Sequence, residues 1–328
     1  MKRAVNNVLN KLHHACVAHT LNLSVNDVIK QSPELSNILA KCRSIVGHFK
    51  HSVPASNKLH QKQEEMGLPA LKLKQDINTR WNSAFIMLQR LLEIKQPLSV
   101  ALVELSSNTT PVKLSGAEWS IISDCTIVLK PLVRITEELS AEQYLTMSKI
   151  VPLVRGLQNK LRILPIMTPI GTELKAHLLD VITRRLSGLE GTKLVAKATF
   201  LDPRFKKPGF SNVENADRAQ EWITEEMAAL ISKTQENLNR NTSNNISSLV
   251  LEATDEDDPW LHFDQKAMNL VSSSRPSSSA VIMVKQYVES PLLPRKENPL
   301  LSWETHEKIF PELAKLAMKY REAFFQDY

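Results

Sequence analysis

The chain has 328 residues, 42% of them apolar, which is enough for one large core or two modest ones. Eight glycines and 5% aromatic residues disfavour a sandwich or barrel, which consumes tight turns and β-branched runs, so the expected class is mainly α. No apolar run approaches the roughly 20 residues of a membrane span, and the formal charge of +6 suits either a polyanionic partner or a solubilising surface.

Apolar residues at Val8, Leu12, Ala15, Leu23 and Val28 recur near helical spacing and predict one helix or two short ones from Val5 to about Ile29, ended by Pro33. A second helix is expected over Leu35 to His48. The polar stretch from Ser52 to Asp76, with Pro54, Gly67 and Pro69, reads as a loop with short helical pieces. Trp81, Phe85, Leu88 and Leu92 then mark an amphipathic helix, with Asn78 or Thr79 as its N-cap. Ser115 and Glu118 have capping-box spacing ahead of a long helix through Trp119, Ile122, Leu129 and Val133, which Pro131 should kink. Helices are also expected from Met147 to Leu161 and from Glu173 to Leu186. Beyond Lys233 the Asn/Ser-rich, acidic and Ser-rich stretches predict a flexible linker until about Tyr287. The C-terminal segment carries an apolar stripe of Trp303, Phe310, Leu313, Leu316, Ala317 and Tyr320.

Three groups of residues invite a chemical reading. Cys16 and His19, preceded by His13 and His14, share a helix face, but two ligands do not make a zinc site. Cys42, His48, His51 and His60 would have to converge on them by folding alone, so no metal is expected. Arg80 and Trp81 sit side by side at a helix start, where a guanidinium pairs with phosphate and an indole offers a stacking platform. Trp81 also lies on the apolar stripe, and spacing alone favours a core tryptophan. Asp202 before Pro203 shapes a turn, and Arg204 answers its charge. A metal-dependent acid would need further converging carboxylates, which the sequence does not place beside Asp202. Scattered cysteines (Cys16, Cys42, Cys125) point to reduced thiols rather than a disulfide framework.

The stretches CVAHTLNLSVND, TRWNSAFIMLQRLLE, KATFLDPRFK and NPLLSWETHEKIFPELAKLAMKY occur in the order seen in the hAT superfamily. The chain thus resembles hAT transposases and their domesticated relatives, the zinc finger BED domain-containing proteins, from residue 16 to 320. The resemblance implies the helical insertion domain of a split ribonuclease-H-like transposase, with a stub of the core and a C-terminal dimerisation segment. It implies residues 1–30 as the core remnant, 31–232 as the insertion, 233–286 as linker and 287–328 as the dimerisation segment. Both catalytic aspartates of the family would precede Met1. The glutamate would follow Tyr328, because Glu322 does not stand in the family's Ser-Glu-Arg motif. The family's tryptophan at the position of Trp81 is thought to hold a flipped base, which makes Arg80 and Trp81 the DNA-binding candidates.

The reading is therefore a nuclear, transposase-derived regulator that is not an enzyme and needs no cofactor. Its expected partners are a second copy, through the C-terminal stripe, and DNA, weakly and without sequence preference in the absence of a BED finger. No membrane partner is expected. The alternatives are a SUMO ligase-type BED protein or part of an active transposase in a longer isoform. Neither a Cys/His RING pattern nor a carboxylate set supports them.

Overall fold

The computed structural model describes residues 16–77, 79–105, 110–139, 147–249, 263, 266 and 276–322, with side chains described as far as 237 in the long helix and 320 at the C-terminal end. Within those residues the chain is helical, and its sole β-type pairing is an isolated bridge between Ile77 and Arg80. The described residues fall into two compact units: one holds 16–139 and 153–188, the other 147–152 and those from 189 onward.

The first unit begins with α1 (Val17–Gln31) and α2 (Pro33–His51). Pro33 ends the first helix and opens the second, because its fixed φ and missing N–H suit a first helical turn, and Ser32 accepts the Leu35 amide as N-cap. In the Ser52–Asp76 stretch, expected as a loop with short helical pieces, the helical part is one 13-residue helix, α3 (Val53–Glu65), which occupies the first half. Ser52 caps it through the Ala55 amide, and Ala55, Leu59 and Gln63 form a buried face that composition alone hides. Gly67 ends it with a φ of 66°, the left-handed conformation that a side chain resists.

α4 (Trp81–Glu93) and α5 (Lys95–Glu104) follow, then α6 (Gly116–Leu139), a single helix across Pro131. Its capping box forms as expected: Glu118 Oε2 accepts the Ser115 amide at 2.8 Å, and Ser115 Oγ accepts the Glu118 amide at 3.2 Å. α7 (Ile150–Ile163), from residue 153 onward, and α8 (Pro169–Leu186) complete the unit. α1 packs on α8, α2, α6 and α4, which makes it an integral part of this helical unit. Asp124, buried in α6, accepts the Met167 and Thr168 amides and the Thr168 hydroxyl, fixing the start of α8. That close approach requires Gly171, whose added Cβ would stand 2.7 Å from the Asp124 Cβ.

The second unit contains α9 (Lys193–Leu201), α10 (Val213–Leu249), α11 (Pro276–Glu289), α12 (Pro299–His306) and α13 (Pro311–Glu322). The linker expected over 233–286 is corrected at both ends. α10 continues past Lys233, and α11 begins within the serine run, where Ser277 and Ser278 occupy an exposed first turn. One face of α11 buries Ala280, Val284 and Tyr287 against a core shared with Phe200, Ile223, Met227 and Leu313, so it has the apolar surface that a serine count obscures. The acidic run from Asp255 to Asp258 lies outside the described residues, as do His13, His14 and Asn78.

Candidate nucleic-acid interface

In the first unit, the motif around Asn22 meets the motif around Trp81. Leu21 and Val25 of α1 face the core, which turns Asn22 and Asn26 toward the segment ahead of α4. Asn22 Oδ1 accepts the Trp81 amide hydrogen at 3.3 Å, and its Nδ2 donates to the Thr79 carbonyl at 3.2 Å. Asn26 Nδ2 donates to the same carbonyl at 3.3 Å. Arg80 is the N-cap residue of α4 and makes no side-chain cap bond, so a neighbouring helix satisfies an amide that the expected Thr79 cap does not. Ser83 closes the turn from the other side, accepting from the Ile77 amide at 2.7 Å and donating toward the Arg80 carbonyl at 2.6 Å.

Arg80 and Trp81 consequently have opposite fates. Trp81 is 1% exposed and belongs to the core with Phe85 and Leu88. Its ring is not available as a stacking platform in this arrangement, because the amphipathic stripe that places α4 also draws the indole inward. Arg80 is exposed, and among the described residues no hydrogen bond or ion pair holds its guanidinium. It stands at a cleft of about 440 Å³ whose lining also includes Lys30, Ser36, Arg43 and Asp76. Arg43 is committed to Asp76, with Nη2 2.8 Å and Nε 2.8 Å from Oδ2, which leaves Lys30 and Arg80 as the cleft's uncompensated cations among the described residues.

Cys16 is the exposed N-cap of α1, and His19 is exposed one turn on. Cys42 is fully buried, and burial pushes its thiol up to about 12, so it is neither placed nor ionised to serve as a ligand at neutral pH. His51 and His60 are exposed on α2 and α3. Among the described residues no three His, Cys, Asp or Glu side chains group as a metal site.

The motifs around Asp202 and Trp303 meet in the second unit. Trp303 Nε1 donates to the Leu201 carbonyl at 2.9 Å, and the Tyr287 hydroxyl donates to the Phe200 carbonyl at 3.0 Å, satisfying carbonyls at the end of α9. Asp202 is buried: it accepts the Arg204 amide at 3.0 Å, the Arg204 guanidinium on both oxygens, and the Ser148 hydroxyl at 2.7 Å. Its acceptor sites are occupied by structural partners, as the turn-shaping reading expects. Lys206, the last residue of the KATFLDPRFK stretch and not singled out in the sequence, is buried at a φ of 45° and donates to the carbonyls of Tyr287 and Ser290 at the end of α11. Burial lowers its pKa to about 8.

The stripe expected to bind a second copy is covered by the chain's own helices. Trp303, Phe310, Leu313, Leu316, Ala317 and Tyr320 are all buried in the second unit's core, with Tyr287 5.2 Å from Trp303 between ring centroids. The cover comes from α9, α10 and α11, of which α11 lies in the stretch whose composition reads as a linker. These six residues are therefore not free anchors for another protomer.

Residues 14–127 match the family model of the ZBED1 RNase-like helical domain. Human zinc finger BED domain-containing protein 4 is 28% identical over 97% of the chain, which corresponds to 26% of that protein. Mouse zinc finger BED domain-containing protein 6 is 26% identical over 94% of the chain and 33% of its own length. The chain is similar to the zinc finger BED domain-containing proteins over most of its length. A putative transcriptional regulator, tpeD of Talaromyces stipitatus, is 21% identical over 93% of the chain and 36% of its length. The chain thus spans about a quarter to a third of the length of these BED-type relatives. The helical insertion expected from the motifs agrees with the matched domain and with the helices of the first unit.

Proposed function

We propose that the chain is a non-catalytic helical scaffold of a nuclear, transposase-derived regulator that touches DNA weakly and without sequence preference at Arg80 and Lys30. The observation that carries this reading is the exposed Arg80 guanidinium, which no described group neutralises, at the mouth of a cleft whose other uncompensated cation is Lys30. Unpaired cations gain affinity for nucleic acid by releasing counterions from phosphates, and such contacts position a duplex without reading its sequence. The regulatory part of the reading draws on the name of the fungal relative. Titration of labelled hairpin and duplex DNA at low salt tests it. The expected result is detectable binding to both, several-fold weaker for Arg80→Ala; equal binding by wild type and variant would overturn it.

Self-association of the C-terminal segment is a second reading, supported by Leu301 and Ile309, which are 59% and 64% exposed there. Identical outward patches of this kind can meet across a two-fold axis. Sedimentation of the full chain beside Leu301→Glu/Ile309→Glu separates the outcomes: a dimer lost in the variant supports it, and a monomer in both excludes it.

A further inference from the structure

The segment from Ile77 to Ser83 is held along its backbone far more tightly than a connection to an exposed arginine requires. Besides the bonds from Asn22 and Asn26 to Thr79 and Trp81, Arg80 donates its amide to the Ile77 carbonyl at 2.9 Å, and the Ser83 hydroxyl bonds to both ends of that turn. The backbone on either side of Arg80 is thus fixed, while its guanidinium is left without a partner among the described residues. A fixed backbone beneath an unpaired cation lowers the ordering cost when an anion arrives.

The amide of Trp81 is already taken by Asn22, so it is not open to an incoming anion. The recognising charge comes from side chains. Arg43 is held by Asp76, and Asp27, one turn before Lys30, is engaged by Arg185 at 2.7 Å. Lys30 and Arg80 therefore line the cleft with no charge partner among the described residues, beside Ser36, whose hydroxyl donates to the Ile29 carbonyl at 3.2 Å. The cleft is in the size range of a ligand site rather than of a packing defect.

We infer that Asn22 and Asn26 are positioning residues that pre-set Arg80, and that Arg80 and Lys30 together seat one phosphodiester of a nucleic-acid backbone in this cleft. The inference rests on the DNA-contact reading above. It adds that the two asparagines act on the ligand through Arg80 and not through general stability. Asn26 is the informative position, because Asn22 would still hold both Thr79 and Trp81 when Asn26 is removed.

The test is a double-mutant cycle on the full chain with a labelled DNA hairpin as probe: wild type, Asn26→Ala, Arg80→Ala and the double variant, each checked for an unchanged thermal transition. Arg80→Ala is expected to weaken binding about tenfold, the order of one charge-assisted contact. Asn26→Ala is expected to weaken it by about a third to all of that factor, and the double variant to bind no worse than Arg80→Ala alone. Asn26→Ser, too short to reach the Thr79 carbonyl, replaces Asn26→Ala if the latter does not fold. Effects that multiply, or no effect of either Asn26 variant, overturn the positioning role and leave the DNA reading standing. Unweakened binding by Arg80→Ala removes both.

Discussion

Asn22 and Trp81 lie 59 residues apart in the chain, and the Asn22 carboxamide closes the first turn of the helix that Trp81 begins. The bond joins a motif on α1 to a motif on α4. It makes the backbone beneath Arg80 a property of the fold and not of a flexible turn. The buried indole is the anchor of that arrangement.

Trp81→Ala should accordingly act on stability first. Truncating a fully buried aromatic side chain costs about 3–5 kcal/mol. Urea denaturation followed by circular dichroism is expected to show a large drop in the midpoint. A variant as stable as wild type would make Trp81 a free stacking platform after all.

Asp124 carries three hydrogen bonds from the residues ahead of α8. In Asp124→Ala those buried donors are left without their acceptor, at about 1–3 kcal/mol. Gly171→Ala should destabilise as well, by about 1–3 kcal/mol, because its methyl group would press on Asp124. Thermal melts of both variants should fall below wild type, and a rise for either would contradict this packing.

Glu226 ties Lys197, Lys319 and Tyr320 together in the second unit. Burial alone would raise its pKa, but hydrogen bonds from Lys197, Lys319 and Tyr320 outweigh that and hold the carboxyl at about 2. A depressed carboxylate contributes stability that is present above its ordinary value near 4.5 and is lost as pH falls toward 2. The wild type should therefore lose stability across that window, and Glu226→Gln should show a shallower loss there. Parallel pH profiles for the two would mean that the network contributes nothing.

Trp303→Phe keeps the ring in the core and removes the hydrogen bond to the Leu201 carbonyl. Leaving that carbonyl unpaired should cost about 1–3 kcal/mol and leave the sedimentation coefficient of the folded chain unchanged. A change in oligomeric state without a change in stability would mark Trp303 as an interface residue.

The elements with a strong local signature are legible in the sequence. The apolar spacing from Trp81 defines α4, and Ser115 with Glu118 defines the start of α6, because both signals lie within a few residues of what they build. α3 and α11 are not, since the polar residues from Asn57 to Glu65 and the serine-rich first turn of α11 outweigh Leu59 or Val284 when only composition is weighed. The C-terminal stripe suffers for it: without α11, the residues from Trp303 to Tyr320 read as uncovered except by another copy. Arg80 is legible as a candidate because its charge stands at a helix start. Asn22 and Asn26 are hidden as its supports, although their spacing of four puts them on one helical face, because their partners are backbone groups more than fifty residues away. Lys206 closes the KATFLDPRFK stretch, yet its role is hidden there, as its positive φ and its carbonyl partners arise only from tertiary packing.

The central claim, that the cleft cations Arg80 and Lys30 hold a nucleic-acid backbone, is tested most directly by the slope of log affinity against log salt for a fixed DNA duplex. Removing one phosphate-binding cation should reduce the slope by about one. The account predicts a shallower slope for Lys30→Ala and for Arg80→Ala, and a further reduction when both are replaced, with duplexes of unrelated sequence behaving alike. Slopes identical to wild type in all three variants would contradict it.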